Sequence, residues 1–343
     1  MSVVPDNTQP IELEDDEDEL EEEALVPAAK PLETPPVPPR VRRLDIIGRR
    51  NWFFGLSLLI IIPGIISMAT RGFALGIDFA GGTEFTVYFT RPVTVAQVES
   101  AVAAETVNGT VQSTTDGGYI IRTSPLTPAQ QKQVQDDLSS KIAPIDPNKL
   151  SINEVGGVIA KETIQLAIGA ILLASVLILA LLALRFRDAR GGWRAGFQFG
   201  GSALAALLHD VFLLTGVFSI IGKVVGLRIG EIDALFVTAV LTVVGFSVHD
   251  TIVVFDRVRE NMRVSSRLSF EQVVNLSIMQ TAARSIITSF TVILVLVSIL
   301  LAGGASLKGF ALALLIGIVS GTYSSIFNAA PLLVVWRRLQ PVR

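Results

Sequence analysis

Long apolar runs separated by short charged segments dominate the chain after its first forty residues. A helix needs about 20 apolar residues to cross the hydrocarbon core of a membrane. Six stretches reach that length and predict membrane-spanning helices, namely 52–69, 164–184, 196–221, 234–255, 285–302 and 310–336. Pro63 and Gly64 interrupt the first stretch, but membrane helices tolerate both with a kink. The pattern therefore predicts an α-helical polytopic membrane protein.

The connection between the first two stretches, 70–163, alternates strand-like and helix-like patterns. "GTEFTVYFT" has strand composition, and "TVAQVESAVAAE" has apolar residues at helical spacing. "TVQSTTDGGYIIRT" predicts two strands around a turn, "TPAQQKQVQDDLSSKI" a capped helix, and "NKLSINEV" a last strand. The order β-α-β-β-α-β is typical of a ferredoxin-like α+β domain.

Arginines cluster in the short flanks on one side of the predicted spans, and such an excess marks the cytoplasmic side. They are Arg40, Arg42, Arg43, Arg49, Arg50, Arg185, Arg187, Arg190, Arg194, Arg257, Arg259, Arg263, Arg267, Arg337, Arg338 and Arg343. The short loops on the other side hold only Lys223, Arg228 and Lys308. We therefore expect both termini in the cytoplasm and the α+β domain outside it.

This reading divides the chain into five parts. Residues 1–40 form a disordered acidic and Pro-rich cytoplasmic tail, because they contain almost nothing to bury. Residues 41–70 form a cytoplasmic flank and the first transmembrane helix, and 71–160 the extracytoplasmic domain. Residues 161–337 form transmembrane helices two to six, and 338–343 the cytoplasmic C-terminus.

Composition narrows the possible chemistry. The absence of cysteine excludes disulfides and thiolate metal sites, and two histidines make a His-rich metal site improbable. No paired-Asp, Ser/His or HExxH set indicates an enzyme, so neither catalysis nor a cofactor is expected. "GIDFAGGTEF" lacks a phosphate-binding pattern. Its Gly76, Asp78, Gly81 and Gly82 predict a structural turn from the membrane into the first strand.

Asp250 lies inside the fourth apolar stretch, where a membrane helix should carry an apolar residue. An ionised Asp at the centre of a span costs at least ~2.5 kcal/mol. Arg257 follows seven residues later, or about 10 Å along a helix, so the acid lies within the membrane near the arginine-rich side. We expect it to face the bundle interior, to have a partner and to exchange a proton.

Arg284, at the start of the fifth stretch, is the partner that the sequence suggests. Polar residues at helical spacings of three, four or seven predict one stripe that faces the bundle interior or a wet pathway, made of Gln280, Thr281, Arg284, Thr288 and Thr291. Two interpretations remain open at this point. Asp250 either titrates as a working ion site or forms a static salt bridge with Arg284.

Both histidines precede an aspartate within an apolar stretch. His209 and Asp210 lie near the middle of the third, whereas His249 points about 100° away from Asp250. A neutral ring that bonds a neighbouring helix is the expected state of each histidine, with a proton relay as the alternative. Asp256, beside Arg257 and Arg259, predicts an ion pair at a helix end.

Four segments resemble the SecD/SecF family of bacterial protein-export membrane proteins, and within it the SecF members. They are "GIDFAGGTEF" after the first span, "ALLHDV" in the third, "VGFSVHDTIVVFDRVREN" in the fourth and "QTAARSIITSFT" in the fifth. The resemblance runs from about Arg40 to Trp336 and leaves out the acidic tail. These motifs are long and specific.

The resemblance implies one half of an RND-type transporter in the bacterial cytoplasmic (inner) membrane, with SecD as the other half. It implies association with the SecYEG channel and YajC, and indirect cooperation with SecA. The pair would use the proton-motive force, or sodium in some members, to promote late export of unfolded preproteins. The family's essential acid falls on Asp250, its basic partner on Arg284 and a nearby hydroxyl on Thr288. The polar residues within the apolar stretches, and not the resemblance, add Asp210, His209 and Thr281 to the expected pathway. Membrane lipid is an expected partner, and nucleic acid is not.

The main alternative is a small-molecule exporter subunit of the same RND type. Such proteins are about three times longer and have two large outer domains, so one outer domain argues against this reading. A purely structural assembly subunit would tolerate Asp250→Asn, whereas a proton carrier would not.

Overall fold

The computed structural model describes residues 45–104, 109–114, 116–187, 192–265 and 267–340. The predicted tail lies outside these residues. Within them, six helices are long and apolar enough to cross a membrane, which confirms the predicted fold class. We call them spans one to six: Arg50–Arg71, Gly157–Arg185, Gly192–Val225, Ala234–Val264, Phe270–Ala302 and Leu307–Leu339.

Spans four and five extend about two to four turns beyond the predicted apolar stretches. Span four continues through Arg257 and Arg263, and span five begins at Phe270, after a capping box formed by Ser269 and Gln272. These turns are amphipathic rather than apolar, so a search for unbroken hydrophobic runs does not detect them. They project on the side where the arginines cluster, which we call the arginine-rich side.

Two spans contain a widened, π-helical turn. In span three it covers Ile220–Val225, and in span six it covers Ser325–Ala329, just before a last helix of Ala330–Leu339 that has Pro331 in its first turn. Single π turns are frequently found at functional sites. Apolar periodicity does not predict them.

Span four lies at the centre of the bundle and packs against spans three, five and six. Glycines allow the close approaches. A Cβ on Gly64 would lie 2.8 Å from the Cα of Gly216, so spans one and three cross backbone to backbone. Span one remains helical through Pro63, as the sequence predicts. A Cβ on Gly321 of span six would similarly press on Ser247 of span four.

The outer domain is a four-stranded antiparallel sheet with two helices. Its strands are β1 (Gly82–Val87), β2 (Gly109–Ser113), β3 (Tyr119–Thr123) and β4 (Ser151–Val155), in the order β2-β3-β1-β4. The helices, Val95–Ala104 and Pro128–Lys141, bury Val98, Val102, Val134 and Leu138 against the sheet. Element order and pairing confirm the predicted ferredoxin-like domain.

The glycine-rich segment is more than the turn that the sequence predicts. Ile77–Ala80 forms one helical turn, and Gly81 and Gly82 follow with positive φ angles of 72° and 129°. These angles favour glycine. At Gly82 a Cβ would lie 2.4 Å from the carbonyl oxygen of Thr123, so β1 can pair with β3 only if position 82 lacks a side chain.

Candidate functional site: two carboxyls inside the bundle

Span four turns Ser247, Asp250, Thr251 and Val254 toward the bundle interior. They share a face because residues three or four apart are neighbours on a helix. Asp250 keeps 8% of its surface exposed. His249 lies on the exposed side of the same helix, so it does not share the site.

One hydrogen bond holds the Asp250 carboxyl. The hydroxyl of Ser285, on span five, donates to Oδ1. The other oxygen, Oδ2, is buried and has no hydrogen-bond partner among the described residues. A buried polar atom without a partner is rare in proteins and calls for an explanation, of which an exchangeable proton is one.

The predicted salt bridge between Asp250 and Arg284 is not formed in the described part of the chain. Arg284 lies on the exposed face of span five, together with Thr288. The interior alternative for the predicted stripe is right for the buried Thr281. It is wrong for Gln280, Arg284, Thr288 and Thr291, which are all exposed, so for these four only the alternative of a wet pathway remains a prediction. The buried row is Ser277, Thr281, Ser285 and Ser289, spaced four residues apart.

Small hydroxyl side chains explain why this row faces inward. A small side chain can form a hydrogen bond through its hydroxyl while the two helices stay close together. Ser289 and Thr322 of span six make such a hydroxyl–hydroxyl bond. A long guanidinium would push the helices apart. The sequence signal for the correct row was present, because four hydroxyl residues recur every fourth position in "SIMQTAARSIITS".

Asp210, on span three, is the most completely bonded acid inside the bundle, with an exposed fraction of 0%. Its Oδ1 accepts from Ser320 at 2.6 Å and from His209 Nδ1 at 3.0 Å. Its Oδ2 accepts from Ser324 at 2.6 Å and from Ser247 at 2.7 Å. Three serines from spans four and six therefore surround one carboxyl of span three.

His209 bonds to the adjacent residue of its own helix. We expected the ring to form a hydrogen bond to a neighbouring helix. This expectation is wrong for Nδ1, whose hydrogen bond stays within span three. The ring also stacks near Tyr323 of span six, with centroids 6.3 Å apart. Its Nε2 is buried without a partner among the described residues.

Ser247 brings the two carboxyl sites together. Its hydroxyl bonds Asp210, while its backbone carbonyl accepts from Thr251 at 3.0 Å and from Ser325 at 3.3 Å. The hydroxyls of Thr251 and Ser325 lie 2.9 Å apart. Ser325 opens the π turn of span six, so this irregular turn lies at the junction between the two sites.

A cavity of about 560 Å³ opens on the arginine-rich side, and its lining includes Val253, three residues after Asp250 on span four. Thr281, Arg284 and Asp256 also line it. Asp256 pairs with Arg185 of span two at 3.0 Å and with Arg259 at 3.3 Å, which confirms the predicted helix-end ion pair for Arg259. Arg257 pairs instead with Glu260 at 2.6 Å.

The opposite end of span four is held by the glycine-rich segment. Asp78 Oδ2 accepts from the backbone nitrogen of Ala234 at 2.9 Å, so the domain's first helical turn caps this span. Gly76 donates its backbone nitrogen to the carbonyl of Ile232 at 2.8 Å. A Cβ on Gly76 would lie 3.0 Å from Asp233, which leaves little room for a side chain.

A cluster of four charges makes a second connection between the sheet and the segment before span four. Arg122 of β3 binds Glu84 of β1 at 2.6 Å and Glu231 at 2.5 Å. Arg228 also reaches Glu84, at 3.4 Å. Burial alone would lower the pKa of Arg122, but Glu231 and Glu84 raise it, so the guanidinium stays charged. The sequence did not reveal this cluster.

Among the described residues, no group of three or more His, Asp and Glu side chains could hold a metal ion. The polar side-chain groups around Asp210 and Asp250 are carboxylates, hydroxyls and one imidazole. Such groups can bind and pass protons.

Two family models match the chain. Residues 134–339 match the model described as "Protein export membrane protein SecD/SecF, C-terminal", and residues 66–93 match the "SecD/SecF GG Motif". The second match contains Gly81 and Gly82.

Among curated proteins, the chain is 45% identical over 306 residues to the protein translocase subunit SecF of Thermobaculum terrenum. That alignment covers 85% of this chain and 94% of the relative. It is 39% identical over 297 residues to the protein translocase subunit SecF of Anaerolinea thermophila, with the same coverage.

Among solved structures, the fold is similar to the crystal structure of SecDF, a translocon-associated membrane protein from Thermus thermophilus. The TM-score is 0.75 and the sequence identity 30%. The match covers 86% of this chain but only 39% of the SecDF chain. A SecDF crystal structure in a super-membrane-facing form matches with a TM-score of 0.60 and 28% identity.

Proposed function

This chain belongs to the SecF family of protein translocase subunits in the Sec export machinery, and on that premise we propose that it couples ion movement to export through Asp250. In this proposal Asp250 gains and loses a proton. The change alters how span four packs in the bundle, and span four transmits the change to the outer domain. The outer domain then promotes a late, SecA-independent step of preprotein movement.

The unpartnered oxygen of Asp250 is the observation that carries this proposal. A proton can join Oδ2 while Oδ1 keeps its bond to Ser285, so loading breaks no existing hydrogen bond. Burial gives the charge a large effect, because electrostatic interactions are strong in a low-dielectric interior. The alternative of a static bridge to Arg284 lacks support, since Arg284 faces outward.

Span four also has the connections that such coupling needs. Its middle carries Asp250, and its outer end is held by Asp78 and by the cluster around Arg122. A tilt or rotation of this one helix would therefore act directly on the sheet. The proposed switch needs two arrangements of the bundle whose balance depends on one charge.

SecD is the proposed partner for the exposed polar face of span five. The similar SecDF chain is much longer than this chain, and Arg284 and Thr288 lie exposed where a second half could supply an acid. An exposed arginine in a membrane span is costly without a partner.

The proposed setting is the bacterial cytoplasmic membrane, with both termini on the cytoplasmic, arginine-rich side and the outer domain on the other. The arginine distribution supports this orientation. The SecYEG channel, YajC, unfolded preproteins and, indirectly, SecA are the further proposed partners, on the strength of the family. The proton is the proposed coupling ion, with sodium as the alternative. Because its curated relatives are translocase subunits, a small-molecule exporter is not favoured.

Asp250→Asn tests the proposal, with the chain expressed beside SecD in cells that lack the native copy. Asparagine keeps a hydrogen bond to Ser285 but cannot carry a proton. We expect normal assembly, with loss of both reporter export and proton flux in inverted membrane vesicles. Repeating the flux measurement with sodium gradients separates the two candidate ions.

Asp256→Asn is the matched control, because it removes a carboxyl from the same helix outside the proposed path. It should weaken the ion pairs with Arg185 and Arg259 and leave flux close to normal. Normal export and flux in an assembled Asp250→Asn protein would contradict the proposal.

A further inference from the structure

Five large apolar side chains are exposed where the outer end of the bundle meets the linker to the outer domain. They are Phe73 and Leu75 of the linker, Val224 and Val225 at the end of span three, and Leu227 of the loop that follows, with exposed fractions of 37–61%. We call this set the apolar collar. None of the five lines the charged cleft of about 680 Å³ that contains Asp78 and Arg122. The collar is therefore a surface of its own.

The linker turns its large side chains outward. Phe73 and Leu75 are exposed, whereas Ala74 is half-buried and Gly76 is buried. The segment is extended at Leu75, which pairs with Ile232, and side chains alternate between two faces in such a segment. A segment at a water-exposed surface normally places its apolar face inward. The inverted pattern indicates an apolar medium outside the linker.

Backbone hydrogen bonds hold the collar in this arrangement. Ile232 donates to the carbonyl of Ala74 at 2.8 Å, and Gly76 donates to the carbonyl of Ile232 at 2.8 Å. Leu227 donates to the carbonyl of Ile221 at 3.0 Å. Irregular backbone is costly near hydrocarbon unless its polar groups are satisfied within the protein. These bonds therefore suit a position at the membrane boundary.

Close packing behind the collar keeps the apolar side chains outside. A Cβ on Gly222 would lie 2.6 Å from the carbonyl oxygen of Gly230 and 2.8 Å from the Cβ of Ala74. The linker and both limbs of the loop after span three thus meet almost backbone to backbone. No room remains between them for a larger side chain, so the five apolar groups contact whatever surrounds the protein at this level.

The collar continues the apolar outer surface of the spans. Ile66 of span one and Phe212 of span three are exposed farther inside the same helices. Arg71 ends span one, and Lys223 lies in the last turn of span three. Both cations are exposed, and basic side chains near the end of a span reach toward the lipid headgroups. The surroundings of the collar therefore match the boundary between acyl chains and phosphates.

We infer that the apolar collar enters the outer leaflet and anchors the linker to lipid. Amphipathic segments at such a boundary bury their apolar face about 5–10 Å deep. The phosphate groups of the lipids would lie beside Arg71 and Lys223. Because Gly76 and Asp78 join the linker to the start of span four, the anchor gives that helix a fixed reference at the membrane surface.

This inference goes beyond the proposed function and does not depend on it. It concerns the lipid contact of a linker and a loop, whereas the proposed function concerns the charge of Asp250. Lipid contact is measured without an ion gradient, and ion flux is measured without a label on the collar. Either statement can therefore fail while the other stands.

Fluorescence quenching tests the lipid contact, because the chain has no cysteine of its own. Val225→Cys carries a nitrobenzoxadiazole label in the full chain, reconstituted with SecD in vesicles of phosphatidylcholine and phosphatidylglycerol. Spin-labelled lipids quench at a shallow or a deep position, and iodide on both sides quenches from water. We expect the shallow spin label to quench most among the lipid probes, and iodide to quench at least about threefold less than at a water-exposed site.

Two controls bracket this result. Ser140 is exposed on the second helix of the outer domain and bonds only its own helix, so iodide should quench a label at Ser140→Cys. Leu172 is exposed in the middle of span two, so the deep spin label should quench Leu172→Cys most. Equal iodide quenching at Val225→Cys and Ser140→Cys would mean that water surrounds the collar, and would overturn the inference. Protection from both iodide and lipid probes would mean that a protein covers the collar, and would overturn it as well.

Val225→Asp tests whether apolar side chains keep the collar in lipid, with the label at Leu227→Cys. A charge at this position opposes insertion, so iodide quenching at position 227 should rise at least about twofold. Val225→Ala is the matched control and should leave the quenching nearly unchanged. Because Val225 is exposed, neither change disturbs the packing of the bundle. If Val225→Asp has no more effect than Val225→Ala, lipid does not hold the collar and the inference fails.

Discussion

Asp210 and Asp250 are two carboxyls in one bundle, and they differ most in how they are bonded. Asp210 accepts four hydrogen bonds from three helices, counting its own, whereas Asp250 accepts one and leaves an oxygen without a partner. Protonating Asp210 requires one of its four donors to move aside. Protonating Asp250 requires no donor to move.

The comparison indicates two roles for a buried acid in a membrane. A carboxyl that several helices bond acts as a fixed point, because each lost hydrogen bond exposes an unsatisfied group in a medium that cannot replace it. A carboxyl with a spare oxygen can change its charge while the surrounding structure stays intact.

The largest expected difference lies between Asp210→Asn and Asp250→Asn. Each oxygen of Asp210 accepts two hydrogen bonds, so an amide nitrogen at either position would face two donors. We expect Asp210→Asn to destabilise the protein by roughly 2–4 kcal/mol, and Asp250→Asn by less than about 1 kcal/mol. Thermal unfolding of the purified chain in detergent, followed by tryptophan fluorescence, measures both. Equal losses of stability would remove the distinction between the two acids.

The serines that surround the acids should give an intermediate effect. Ser324→Ala removes one of four donors to Asp210 and should cost about 1–2 kcal/mol with much of the flux retained. Ser285→Ala removes the hydroxyl that positions Asp250, and should lower proton flux more than it lowers stability. Ser298→Ala is the control, because this exposed serine of span five bonds only the carbonyl of Leu294 on its own helix. A larger flux loss in Ser324→Ala than in Ser285→Ala would reverse the assignment of roles.

The smallest effect on the isolated chain is expected at Thr288. Thr288→Val keeps the size of an exposed side chain and should change stability by less than about 0.5 kcal/mol. Its effect should appear only in the presence of SecD, as weaker co-purification or lower flux. Thr238→Val, at an exposed threonine of span four that bonds its own helix, should change neither quantity. An equal effect with and without SecD would mean that the exposed face of span five is not a partner surface.

The sequence by itself determined the six spans and the order of the outer domain. The length of an apolar stretch decides whether it can cross a membrane. Alternating apolar and polar residues, with turn residues between them, decide the order of strands and helices in a small α+β domain. Both are local properties of the sequence. The sequence also identified Asp210 and Asp250, since an acid in an apolar run is costly wherever it packs.

Only the tertiary structure decided which residues these acids bond. The sequence selects Arg284 as the charged partner of Asp250. In the structure the small hydroxyl of Ser285 makes this contact instead, because spans four and five pack closely there. Ser320 and Ser324 are far from Asp210 in sequence and reach it only because span six crosses span three at that level. Helix periodicity fixes which residues share a face, but packing in three dimensions decides which face turns inward and what it contacts.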